Sequence, residues 1–289
     1  MRTEQEMLTL ILQTAKELPQ VVAAAISGSR MNSNVPKDSF QDFDIVYIVN
    51  EKKSLLTNRK WLEKFGERLI MQCPEEMTLF PPTLGERFTF LMLFADGNRI
   101  DLMLCPFSEI EREIAEEPLL SVLYDPCGIF PQLTSPTDTA FWVKEPTKEE
   151  FFDCCNEFWW VSTYVVKGLW RKELLYASDH LYEVCQKELL RLLSWQVAAE
   201  KNYTFSVGKN FKYLPKYLTM DQQEQLLIVR DFSSKEKIWQ ALFKTQAFFH
   251  GEALKFAAHQ GFFYDAETAE KVMAYSRTWY QETDKKETV

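Results

Sequence analysis

Apolar residues at Met7, Leu10, Ile11, Ala15 and Leu18 recur every three or four positions, which places them on one face of a helix. Thr3 with Glu6 supplies a capping box at its start, and Pro19 stops it. The rhythm then changes. "VVAAAIS" (21–27) and "DIVYIV" (44–49) are short apolar runs of strand length, and a charged helical stretch over 54–70 follows, with Leu62, Phe65 and Leu69 spaced for one face. "FTFLMLFADGNRIDLML" reads as a hairpin turning at Asp96-Gly97. Its second arm puts Arg99, Asp101 and Met103 on one face and Ile100, Leu102 and Leu104 on the other.

From Thr147, which opens a second capping box with Glu150, the pattern is helical, over 148–171, 173–201, 234–260 and 265–283. The proline-containing stretch 131–146 is the natural boundary, so the expected division is a mixed domain over 1–135 and a helical one over 136–289. The expected fold class is α+β: a mixed sheet with flanking helices, then an all-helical bundle.

Composition narrows this picture by exclusion. The 289 residues are 46% hydrophobic and 14% aromatic, with 9 Gly and 12 Pro, which excludes a disordered or low-complexity chain. The start "MRTEQEMLTL" lacks a signal-peptide pattern, and no apolar run reaches the roughly 18 residues of a membrane span, so a cytoplasmic protein without membrane contact is expected. Six cysteines show neither a CxxC pair nor zinc-site spacing and are expected to be reduced and mostly buried. A net charge of -9 without a basic stripe argues against nucleic acid and suits a cationic small molecule.

The chemistry concentrates in "GSRMNSNVPKDSFQDFDIVYIV" (28–49). Asp42 and Asp44 project from one face at the mouth of a strand, and two adjacent carboxylates repel unless a cation lies between them. Oxygen-only ligation points to magnesium. Gly28 and Ser29 follow the earlier strand at a turn whose backbone N–H groups and hydroxyl can receive a phosphate, and Arg30 adds a guanidinium. Asp101, polar within an apolar strand, is the best third carboxylate, as metal ligand or as base.

Together these residues resemble the DNA polymerase β-like nucleotidyltransferases. "GSR…FQDFDIVYIV", "NRIDLML" and the later "SVGKNFKYLPKYL" narrow the resemblance to the aminoglycoside 6-adenylyltransferases, also called streptomycin adenylyltransferases. The resemblance implies a nucleotidyltransferase-like first domain and transfer of AMP from MgATP to an aminoglycoside hydroxyl, with pyrophosphate released. Asp42, Asp44 and Asp101 would be the catalytic and metal-binding carboxylates, and Gly28, Ser29 and Arg30 would contact ATP. Lys209 and Lys212 in "GKNFK" are placed to reach phosphate. Asp179, Glu183 and Lys187 follow an i, i+4, i+8 rhythm beside His180, and the resemblance makes Asp179 and Glu183 candidates for the cationic drug. Trp159, Trp160 or Trp195 could stack on it, and a monomer is expected.

Each reading has a plainer competitor. A D-x-D can be a polar strand edge, the acidic helix stripe a solvated face, the two lysines surface charge and the tryptophans core packing. For the whole chain the alternatives are a nucleotide-binding sensor or antitoxin-like module without turnover, and a nucleotidyltransferase that modifies a protein.

Overall fold

Strand alternation puts Phe43, Ile45, Tyr47 and Val49 on one side of the sheet and Asp44, Val46 and Ile48 on the other. Both sides find cover, which is why the run is almost continuously apolar. The computed structural model describes residues 1–287, in two compact units that divide between Ala140 and Phe141.

The first unit runs α1 (Glu4–Glu17), β1 (Val21–Ser27), β2 (Phe43–Val49), α2 (Lys53–Thr57), β3 (Arg68–Gln72), β4 (Phe88–Phe94), β5 (Arg99–Pro106), α3 (Ile110–Glu116) and β6 (Ser121–Tyr124). Its six strands are ordered β3-β4-β5-β2-β1-β6. All neighbours are antiparallel except β2 and β5, which run parallel at the centre.

One face packs Met7, Ile11 and Ala15 of α1 with Trp61, Leu62 and Phe65 against Ile45, Tyr47, Phe90 and Leu102. Tyr47 Oη donates to the Ile11 carbonyl at 2.6 Å, satisfying a hydroxyl buried in that core. Ala23, Ala25, Val46, Ile48 and Cys105 cover the opposite face with Ile110 of α3 and Leu120. Asp138 is buried and accepts from Asn32 Nδ2 at 3.3 Å and Asn34 Nδ2 at 3.0 Å. These bonds hold the segment before Ala140 to the first unit.

The stretch 54–70 departs from the expected helix. It is α2, a 3-10 helix Arg59–Phe65 and the edge strand β3, broken at Gly66, whose φ of +105° an L side chain rarely adopts. Leu62 and Phe65 are buried as expected, but Leu69 is exposed on β3. α3 and β6, both short, had no periodic signature.

The second unit is helical: α4 (Lys148–Trp170), α5 (Leu174–Asp179), α6 (Gln186–Glu200), α7 (Met220–Ile228), α8 (Lys235–Gln260) and α9 (Ala266–Glu287). The architecture is thus α+β followed by an all-helical bundle. Capping boxes start α1, α4 and α7. Phe158 and Phe249 stack at 3.7 Å in a core shared by α4, α6 and α8. Cys105, Cys154, Cys155 and Cys185 are buried, and all six cysteines are free. No helix among the described residues is long and apolar enough to cross a membrane.

Arg87 ties the start of β4 to α3. It donates to Glu113 Oε2 and to Glu116 Oε2, each at 2.6 Å, and both Arg87 and Glu113 are buried. Removing one partner would strand the other charge without solvent. Arg87→Met is therefore expected to lower the unfolding free energy by about 3 kcal/mol, seen as a lower urea midpoint with an unchanged slope. Glu116→Gln, at the half-exposed end of the fork, should move the midpoint far less.

Candidate active site

The registers of four strands set one transverse row. Ser27 of β1 pairs with Asp44 of β2, Asp44 with Asp101 of β5, and Asp101 with Leu91 of β4. Asp44 and Asp101 therefore face the same side of neighbouring strands, and Asp42 precedes them at the mouth of β2. The crowding has an electrostatic signature. The Asp44 carboxyl is pushed up to about 7, first by burial and then by the nearby Asp101 and Asp42 carboxylates, with the Arg99 guanidinium opposing.

Gly28 explains how so polar a group is seated. A Cβ on Gly28 would lie 2.0 Å from Asp44 Oδ2, and its φ is +69°. Only glycine lets the turn press against the carboxylate. Ser29 and Arg30 continue that turn as a 3-10 helix, Gly28–Met31, and the Ser29 carbonyl accepts from Gln41 Nε2 at 3.2 Å.

Arg30 faces the scaffold. Its guanidinium donates to the carbonyls of Asp42 at 2.9 Å and Gln41 at 2.7 Å, and it lies 3.7 Å above the Phe43 ring. Its side chain is only 8% exposed. This Arg fixes the backbone that carries Asp42, a task that leaves little of its fork for phosphate.

Arg99 is the residue that sequence reasoning placed on the right face without giving it a role. It makes a bidentate pair with Asp101, Nε to Oδ1 and Nη2 to Oδ2, both 2.8 Å. Its Nη1 lies 3.6 Å from Asp42 Oδ2. A cation of the chain itself thus bridges two of the three carboxylates. Among the described residues, no three acidic, thiol or imidazole groups converge to hold a metal. The donor set still fits a hard divalent cation: carboxylate oxygens from adjacent strands, mutually repelling, with Asp44 raised first by its burial.

Thr89, Glu75 and Glu117 were missed as well. With Asp44 and Asp101 they line a cleft of about 450 Å³ on the α3 side of the sheet. Glu117 had no signal to find it by, since it follows a helix too short to show a period.

The candidates of the second unit have other surroundings. Asp179, Glu183 and Lys187 are exposed, and a π-helical turn, His180–Cys185, interrupts their helix. Its wider i→i+5 turn shifts the expected i, i+4, i+8 alignment. Trp195 is 8% exposed and stacks on Phe256 at 6.2 Å, so its ring belongs to the bundle core. Trp159 is buried there too, whereas Trp160 is exposed. Lys209 and Lys212 are exposed in a turn where Asn210 and Phe211 have positive φ. His250 is engaged with Tyr264 Oη at 3.0 Å.

The family model described as streptomycin adenylyltransferase matches residues 1–279. The chain belongs to that family. It is 45% identical to an aminoglycoside 6-adenylyltransferase of Bacillus subtilis over 86% of this chain and 88% of that one. A Campylobacter jejuni protein of the same name is 37% identical over 99% and 100% of the two chains. A crystal structure of an aminoglycoside 6-adenyltransferase from Bacillus subtilis, 38% identical, aligns over 97% and 99% with a TM-score of 0.49. Membership makes this chain an enzyme of nucleotidyl transfer.

The raised Asp44 carboxyl gives a pH-dependent expectation. Its folded value lies above the unfolded one of about 3.9, so the folded protein keeps an extra proton between about pH 4 and 7 and loses stability as pH rises through that window. Asp44→Asn, free of divalent cations, should therefore melt higher than the wild type. The gain should grow from pH 4 to 7 and level off above, at a magnitude on the order of a few kcal/mol. Adding magnesium should narrow the gap by stabilising the wild type alone. A pH-independent difference in melting would contradict this account.

Proposed function

We propose that the chain transfers AMP from MgATP to a hydroxyl of streptomycin, at the 6-position, releasing pyrophosphate and so conferring resistance to the drug. The observation that carries this reading is the register bringing Asp44 and Asp101 together on adjacent strands beside the Gly28-Ser29 turn. The names of the Bacillus and Campylobacter relatives support an aminoglycoside as acceptor and the 6-position as its site.

Asp42, Asp44 and Asp101 would hold the magnesium once Arg99 releases its bidentate grip. The bound cation would neutralise triphosphate charge and stabilise the leaving oxygen. Gly28 and Ser29 present backbone N–H groups and a hydroxyl to the triphosphate. Arg30 keeps the Gln41–Asp42 backbone in place. Asp101 borders the cleft and takes the proton of the attacking hydroxyl at its carboxylate. The freed Arg99 guanidinium is the cation of the site with a fork suited to phosphate oxygens. In the helical half of the chain, Asp179 and Glu183 would supply negative charge to the drug, and Lys209 and Lys212 would reach phosphate. Trp195 keeps its place in the bundle core.

Pyrophosphate release from MgATP, with and without streptomycin, tests the whole reading. Release should require drug and magnesium together. Asp44→Asn and Gly28→Ala should each lower the rate at least about a hundredfold, one by losing a ligand and the other by driving a methyl group into it. Release unaffected by either change would remove the carboxylate row from the reaction. Drug-independent release with AMP left on a cellular protein would make a protein the acceptor.

A further inference from the structure

The cleft beside the carboxylate row has a character of its own. Its lining includes Asp44, Asp101, Glu75 and Glu117 but no lysine or arginine. Glu113 also lines it, but its charge is matched by Arg87. Glu117 is half-buried and accepts from the Leu119 N–H at 3.0 Å, and no ion pair reaches it among the described residues. Away from the metal-binding pair, Glu75 and Glu117 would repel a triphosphate and draw a cation.

The second observation is a hydroxyl. Thr89 is 7% exposed, and its Oγ1 is buried without a hydrogen-bond partner, although it lines the cleft. Its backbone N–H is satisfied by Glu75 Oε2 at 2.8 Å, so the side chain alone is left over. Burying a hydroxyl unpaired is costly, and valine would fill the same volume without that cost. Thr89 pairs with Met103 while Leu91 pairs with Asp101, so Thr89 lies diagonally from Asp101. That separation is about 7 Å, the span of one substituted six-membered ring.

We infer that this cleft is the acceptor subsite. The Thr89 hydroxyl hydrogen-bonds a polar substituent of the ring whose neighbouring hydroxyl meets Asp101, and the Glu117 carboxylate pairs with a cationic group of the same molecule. The assignment rests on the adenylyl transfer proposed above and adds to it. The acceptor enters from the β4 side of the carboxylate row, with the nucleotide on the Gly28-Ser29 side. Thr89 and Glu117 then govern acceptor specificity and leave nucleotide binding alone.

The test uses Thr89→Val and Glu117→Gln in the full chain, with steady-state kinetics in both substrates and calorimetric titration of streptomycin into the nucleotide-free protein. Thr89→Val should raise the KM and Kd for streptomycin five- to tenfold and leave the KM for MgATP unchanged, with a melting temperature equal to or above wild type. Glu117→Gln should weaken drug binding tenfold or more and flatten its dependence on salt. Wild-type turnover of streptomycin with both variants at wild-type KM, or with a changed KM for MgATP instead, would overturn this assignment alone. A wild-type protein that neither binds nor adenylylates streptomycin would overturn it together with the reading on which it rests.

Discussion

Two carboxylates opposite one another across a parallel strand pair are the constraint to which the rest of the first unit answers. Asp44 and Asp101 share one register step between β2 and β5, at the centre of a sheet whose other positions on those strands are mostly apolar. Like charges so placed weaken the pairing and resist burial. The surrounding structure accommodates them in two ways. Gly28 gives the Asp44 carboxylate a close backbone wall, and Arg99 forks onto Asp101 while reaching towards Asp42. A site that holds itself together with its own guanidinium is preorganised for a cation, because the same charge deficit remains whenever that guanidinium leaves.

The arginines of this unit show how one residue type serves different ends by burial. Arg30, nearly covered, braces two carbonyls and a ring and so fixes where Asp42 begins. Arg87, also covered, joins a strand to a helix and neutralises Glu113 at the cleft wall. Arg99 is 42% exposed and contacts the carboxylates that define the site. Only the last combines access to solvent with contact to the functional groups, and a planar fork suits both carboxylate and phosphate. The same burial logic separates the tryptophans. Trp195, deep in the helical core, packs, although as an isolated letter it looked as able to stack on a ligand as exposed Trp160.

Local chemistry was legible where it repeats or punctuates. The capping boxes at Thr3 and Thr147 formed, since side chains three residues apart satisfy the same turn. Asp96-Gly97 made its hairpin, and β1 spans the quoted "VVAAAIS". The helix expected over 54–70 failed because its charged, mixed pattern fits an exposed edge strand as well as a helix, and Gly66 decided the break. The π-helical turn at His180–Cys185 was invisible, because the apolar spacing there reads as continuous α-helix.

The sequence by itself determined which residues share a face: a period of two puts Asp42 with Asp44 and Asp101 with Arg99, whatever the strands later pair with. It also determined the α+β character of the first unit and the helical character of the second, through the change in apolar period after residue 146. Only the tertiary structure decided that Asp44 stands against Asp101, that Arg99 bridges the row, and that the Thr89 hydroxyl is left unpaired beside Glu117. The β4–β5 hairpin apart, these pairings join segments far apart in the chain, and the packing of both sheet faces sets their order and register.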